Sequence, residues 1–339
     1  MSNALTRSYA PIAHILHAPE TEDFAMQEPG VGWWLHHGKW HRTEVPEMTY
    51  ARQMGLSVLA AAQTRQVISH AKPILSCDLP GLLRLQAIMP PVQSPGTMSI
   101  TIRQGDRDID EVEAVPAMYN TARWNKWAGR KERRRAIIAP LLDCFDSGDI
   151  VAFLSMAARS RQTGLFCGPT GAGKSRLSKL LGGAIPVDER IIAIEDAAEL
   201  VIRQPNHVRH FYSADEATGV RPARLMKSAM RERPDRVILG ELRDPEGAAV
   251  FVSVIAAGHP GSMSTIHGTN PEEAARRLVD MISDGKSDNA MAIGQLETAI
   301  DFIIPVENDG GVRAIGEIWF RPDAERRGES FRDLLSGGK

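Results

Sequence analysis

Cysteine is scarce. The 339-residue chain has three, Cys77, Cys144 and Cys167, and no Cys-x-x-Cys pair. That excludes a disulfide framework and a zinc knuckle and points to a reducing compartment. Long apolar runs are also missing: no stretch approaches the ~18 residues that span a bilayer. Met1 to Glu20 lacks the basic-then-apolar pattern of a secretory signal. The expectation is a soluble, cytosolic protein. Neither charge sign dominates, with 40 Lys and Arg against 42 Asp and Glu. Such a balance argues against a general nucleic-acid-coating protein while leaving room for local basic patches. What the chain does have is 43% hydrophobic residues, enough for a buried core and for two domains or one large one.

Residues 1–125 read as an α+β domain. Val31 to Trp40 has the pattern of two short strands around Gly38, Met48 to Val67 that of an amphipathic helix. Leu82 to Met89 and Met98 to Arg103 are strand-like, separated by Pro90, Pro91, Pro95 and Gly96. Between Arg123 and Arg135 seven basic residues face a single acid, Glu132. The run can be a solvated linker or a grip on DNA phosphates. Residues 126–140 are taken as a basic linker ended by Pro140. From Leu141 to residue 339 strands alternate with helices, which implies a parallel sheet covered on both faces. The tail from Asp323 is charged and expected to fray.

The clearest chemistry lies in Gly168-Pro169-Thr170-Gly171-Ala172-Gly173-Lys174-Ser175, which fits G-x-x-x-x-G-K-[ST] in full. Leu165 to Cys167 can form the preceding strand and Arg176 to Leu181 the following helix. Glycines let successive backbone N–H groups turn inward onto phosphate oxygens, and the helix N-terminus adds positive potential. Lys174 would neutralise the β- and γ-phosphates of ATP, and the Ser175 hydroxyl would ligate Mg²⁺.

Hydrolysis also needs an oriented water. Arg236 to Glu241 is an apolar strand ending in Gly-Glu, which places Glu241 at the sheet edge where open α/β folds bind ligands, either to polarise the attacking water or as an ordinary strand-end glutamate. A second strand, Arg190 to Ile194, runs into Glu195, Asp196 and Glu199, which serve either a Mg²⁺ and water site or simply a helix start. Asp244-Pro245 reads as an N-cap and N1 proline of a helix ending before Gly258. A short strand then delivers His267 to the same edge, before Asn270-Pro271-Glu272-Glu273 caps the next helix. There an imidazole can read the γ-phosphate or be purely structural.

Together these motifs resemble the type II/type IV secretion (traffic) ATPases, most closely the conjugation and type IV secretion branch. GPTGAGKS matches Walker A, IIAIEDAAEL the acidic box, DRVILGELRDPEGA the Walker B region and GHPGSMSTIHGTNPEEAARRL the histidine box, in the family's order over residues 165–278. Leu82 to Gln86, Met89-Pro-Pro and Ser99 to Arg103 match the family's N-terminal domain more loosely, and residues 1–80 match nothing. The resemblance implies a RecA-like P-loop NTPase domain behind a smaller α+β domain. It implies a homohexamer that hydrolyses ATP with Mg²⁺, alongside other components of a secretion or conjugation channel at the cytoplasmic face of the inner membrane. It also implies that Arg84 and Arg103 reach the nucleotide and that Arg233 completes a neighbour's site. The four-cysteine zinc module of many type II and pilus-assembly ATPases cannot be built here. The alternatives are a type II secretion or pilus-assembly ATPase, a nucleotide-gated scaffold that binds ATP without useful turnover, and a RecA-like DNA translocase or helicase using residues 123–135. Against the last, the chain shows no aromatic-rich basic stripe for stacking single strands.

Overall fold

The computed structural model describes residues 2–105, 131–212, 220–283 and 289–337. The basic run at 123–130, with the side chains of 131–135, and the boundary drawn at 125/126 lie outside them. No described helix is long and apolar enough to cross a membrane.

The first unit carries a six-stranded antiparallel sheet, β1 (Asp23–Glu28), β2 (Val31–His36), β3 (Lys39–Glu44), β4 (Ile74–Leu79), β5 (Leu83–Ile88) and β6 (Ser99–Gln104), in the order β3-β2-β1-β6-β5-β4. The β2–β3 hairpin turns through His37 and Gly38, both at positive φ (47° and 73°), which matches the twist of the strands it joins. Thr49 caps the helix Tyr50–Gln63, its hydroxyl oxygen accepting from the Arg52 amide at 3.3 Å. Leu56, Ala60 and Ala61 on that helix pack against Phe24, Leu85 and Ile100 of the sheet. Each large apolar side chain removed from water there contributes about 1.5–3 kcal/mol.

The second unit is the α/β layer structure. Its strands are β7 (Gly164–Cys167), β8 (Ile191–Glu195), β9 (His207–Phe211), β10 (Arg236–Leu239), β11 (Met263–Ile266), β12 (Phe302–Asp309), β13 (Val312–Ile315) and β14 (Trp319–Phe320). The order is β13-β12-β7-β11-β10-β8-β9, with β14 on β12; β13 and β14 pair antiparallel and the rest parallel. Both faces are covered. Along β8, Ile192 and Ile194 join one apolar layer with Phe251 and Leu278, while Ile191 and Ala193 join another with Phe153 and Phe302. Continuous apolar strands are what a sheet buried on both sides demands.

Helix ends follow local chemistry. Asp244 accepts from the Gly247 amide at 2.8 Å and opens Pro245–Ala256, and Gly258 (φ +106°) follows its end. Asn270 accepts from the Glu273 amide at 2.8 Å at the start of Pro271–Ser283. Glu273 itself reaches back to the amide and hydroxyl of Thr269, both at 2.7 Å. Two expectations fail. Pro140 does not end its segment but lies inside the helix Lys131–Asp146, on a stretch exposed at Ala136, whose carbonyl water can satisfy. The tail from Asp323 is not frayed over the described residues. It forms Arg321–Arg326 and Phe331–Leu335, the latter closed by a Ser330/Asp333 capping box and anchored by buried Phe331 against Trp319.

The two units meet through apolar packing of Ile88 and Val92 into the second unit's core and through polar contacts. Buried Glu232 accepts from Ser99 of β6 and lies 2.6 Å from Nε2 of His210, whose Nδ1 contacts Gln93. Arg190, fully buried, reaches Gln27 at 3.3 Å and lies over the Trp40 ring at 5.2 Å.

Candidate functional site

Three parallel strands set the site. The phosphate loop follows β7, Glu241 lies two residues after β10, and His267 immediately follows β11, which pairs with both. Insertion of β11 between β7 and β10 brings the three to one sheet edge. Gly168, Gly171 and Gly173 take positive φ (152°, 79° and 106°), and a Cβ at Gly168 would lie 2.3 Å from the Val306 carbonyl oxygen. Only glycine permits that turn. Pro169, Thr170 and Gly171 are exposed at the loop's outer bend and Ala172 packs beneath it. Lys174 and Ser175 open the helix Lys174–Gly182. The Lys174 ammonium donates to the carbonyls of Gly168 and Pro169 at 2.8 and 3.0 Å, and burial lowers its pKa.

A cavity of about 470 Å³ opens beside the loop; Lys174, Ser175, Glu195, Glu241 and His267 are among its walls. Nε2 of His267 lies 2.8 Å from Oε1 of Glu241 but not in line for a hydrogen bond, so Oε1 is buried without a hydrogen-bonding partner. Oε2 accepts from Nε of Arg243 at 2.6 Å, and the same guanidinium holds Asp196 at 2.6 Å. Glu241 thus has one oxygen fixed by Arg243 and one approached by the His267 imidazole without a hydrogen bond. A buried carboxylate oxygen with no donor, in a cavity shared with a serine hydroxyl, suits Mg²⁺ or a polarised water, both of which take oxygen ligands. The described residues contain no cluster of three His, Cys, Asp or Glu side chains placed to hold a metal. A Mg²⁺ here would therefore rely on the hydroxyl, phosphate and water oxygens it favours.

Glu195 occupies the cavity wall differently. One oxygen accepts from the amides of Glu199 and Leu200 at 3.0 and 2.6 Å, the other from Arg209 at 3.0 and 2.8 Å. Its lone pairs staple the loop after β8. The arginines of the first unit lie elsewhere. Arg84 and Arg103 face each other across β5 and β6 and line a separate cavity of about 480 Å³ with Arg231. Arg103 holds buried Asp23 at 3.0 Å, and Arg233 approaches the same carboxylate at 3.5 Å. Arg233 does not pair with Asp235, which instead accepts from Arg161 and the Arg190 amide. Its φ of +57° marks a tight bend before Pro234. Arg243 escapes the sequence reading, although its place two residues after Glu241 was visible, because its second partner, Asp196, lies 47 positions away.

A phosphate loop on a RecA-like sheet, with a strand-end carboxylate and a histidine at the same edge, defines a P-loop NTPase. Residues 144–306 match the family model described as type II/IV secretion system protein. The chain is 40% identical over 332 residues to the VirB11 protein of Rhizobium radiobacter, covering 96% of each, and 33% identical over 301 residues to that of Bartonella quintana, covering 85% and 84%. A crystal structure of the VirB11 ATPase from the Brucella suis type IV secretion system, in complex with sulphate, superposes with a TM-score of 0.86 at 29% identity, covering 96% of this chain and 97% of that one. The chain belongs to the VirB11 family of type IV secretion ATPases.

Proposed function

We propose that the chain hydrolyses ATP as one subunit of a homohexamer that powers assembly of, or transport through, a bacterial type IV secretion or conjugation channel. Its place is at the cytoplasmic face of the inner membrane, beside the other channel components. The observation that carries the reading is the single cavity shared by Lys174, Ser175, Glu241 and His267. Backbone amides of 171–175 and the Lys174 ammonium hold the phosphates. The Ser175 hydroxyl would hold Mg²⁺, which neutralises charge on the triphosphate when bound. Glu241, steadied by Arg243, orients and polarises the attacking water. His267, beside Glu241, senses the terminal phosphate. Glu195 acts by keeping the loop that carries Asp196 in place.

Arg84 and Arg103 reach the nucleotide, and Arg233 acts across the subunit boundary; none of the three lines the phosphate cavity of the isolated chain, where Arg233 approaches Asp23 instead. Turnover and native mass test the reading together. Lys174→Ala is expected to lose hydrolysis, and Glu241→Gln to retain ATP binding with turnover down about 10²–10⁴-fold. Wild-type protein that forms hexamers but shows no ATP hydrolysis, or Glu241→Gln turning over at the wild-type rate, refutes it. Arg233→Ala mixed with Lys174→Ala should regain activity in shared rings. Failure to do so in verified mixed hexamers removes the trans role.

A further inference from the structure

We propose that Asp23 is an autoinhibitory anion: its carboxylate holds Arg103 and Arg233 in the isolated chain and competes for them with the phosphates of ATP. The proposal rests on the nucleotide roles given to those two arginines above and adds what restrains them.

Geometry comes first. Asp23 opens β1 and lies directly across from Arg103 on β6. Nε and Nη2 of Arg103 donate to its two oxygens at 3.0 and 3.5 Å, the forked arrangement in which a guanidinium meets a carboxylate best. Arg233 comes from the second unit, in the bend between the helix Pro222–Ala229 and β10, and its Nε lies 3.5 Å from Oδ2 of the same carboxylate. Its φ of +57° is a left-handed conformation that a residue with a side chain keeps only where its surroundings hold it. One carboxylate thus gathers a cation from each unit. Arg84, the third arginine with a nucleotide role, stands 3.9 Å from Asp78, and both of those side chains are largely exposed. Asp23 does not restrain it.

Burial separates the partners. The Asp23 side chain is 3% exposed, whereas those of Arg103 and Arg233 are 47% and 43% exposed. The anion is fixed inside the junction, while both cations can be reached from solvent. A buried carboxylate stripped of its cations is costly, so the arginines stay with Asp23 until a stronger anion offers itself. A triphosphate is such an anion, with more charge and more acceptor oxygens than one carboxylate. Competition between the two lowers the apparent affinity for ATP by the fraction of time the arginines spend on Asp23. Because Asp23 and Arg233 belong to different units, engaging the phosphate also removes a tie across the junction. Nucleotide occupancy and opening of the junction are then coupled, each favouring the other.

The test removes the charge and keeps the shape. Asp23→Asn retains one acceptor oxygen for Arg103, and Asp23→Ser provides a second variant; circular dichroism and native mass check fold and assembly. ATP affinity and kcat/KM, both with Mg²⁺, are measured in hexamers of wild type and the two variants. Each variant is expected to raise both quantities about three- to fivefold, the size of a partly exposed ion pair. ATP affinity is then measured with Asp23→Asn placed on Arg84→Ala and on the double variant Arg103→Ala/Arg233→Ala. The gain should persist on the first and vanish on the second. Unchanged affinity and turnover in both Asp23 variants overturns the proposal. A loss also overturns it, since Asp23 would then position the arginines, as does a gain that survives removal of Arg103 and Arg233. Collapse of both Asp23 variants overturns it too, the carboxylate then being structural. Wild-type affinity and turnover in Arg103→Ala/Arg233→Ala would instead refute the nucleotide roles of the arginines themselves.

Discussion

Glu232 is the most exposed weakness of the junction between the two units, although it is itself fully buried. Its carboxylate accepts from the Ser99 hydroxyl and lies 2.6 Å from Nε2 of His210, both in environments closed to water. Glu232→Ala removes the acceptor and leaves two buried polar groups without it. Each such orphan costs about 1–3 kcal/mol, so the pair costs about 2–6 kcal/mol. That is a large share of the 5–15 kcal/mol typical of a folded domain. Arg190 donates to the backbone carbonyl of Glu232 at 2.9 Å, a bond the substitution leaves in place. The loss therefore reports the side chain alone. Glu232→Gln keeps one acceptor oxygen and is expected to lose about half as much. Urea unfolding followed by circular dichroism measures both variants. Tryptic cleavage between the units, over residues 106–130, reports whether the junction loosens first. A Glu232→Ala protein within 0.5 kcal/mol of wild type, a margin typical of a surface change, would refute the claim that this carboxylate stabilises the junction through Ser99 and His210.

Two further expectations concern titratable groups. Burial pushes the Cys167 thiol up to about 12, so it is expected to resist iodoacetamide in the native protein near neutral pH and react only after unfolding; native labelling at Cys167 by mass spectrometry would contradict this. Burial also raises the Asp23 carboxyl above its ordinary 3.8, outweighing the attraction of Arg103 and Arg233. The folded chain therefore holds that proton more tightly than the unfolded one. The Asp23 contribution to stability is greatest below 3.8 and declines as pH rises through the raised value. Asp23→Asn should thus gain on wild type across that window in pH-dependent melts, and a gap that is flat or runs the other way would sink the assignment.

The second unit was legible because its strands are continuous apolar runs closed by motifs whose spacing is fixed by phosphate chemistry. Gly168 to Ser175, Glu241 and His267 each sit at a strand end for that reason. The first unit was legible only in part. β2, β3, β5 and β6 show in the sequence, but β1 is buried at five successive positions and so lacks the alternation that marks a strand. β4 is joined to β5 through Pro80, Gly81 and Leu82, where positive φ at Gly81 and Leu82 closes a hairpin that residue propensity does not favour. Roles set by distant partners were hidden. Glu195 reads as a free acid until Arg209 and two amides claim it. Arg103 and Arg233 read as separate until both meet Asp23, 80 and 210 positions away in the chain.

The placement of β11 has a metric consequence. Neighbouring strands lie about 4.8 Å apart, so one strand between β7 and β10 sets the loop and the carboxylate strand roughly 9.6 Å from each other. On the function proposed above, a diphosphate seated in the loop would end on the near side of that gap and a triphosphate would cross it toward Glu241 and His267, so that the sheet would act as a ruler. The strand that leads to the histidine continues through Thr269 and Asn270 into the helix Pro271–Ser283, the first element that a shift at His267 would meet.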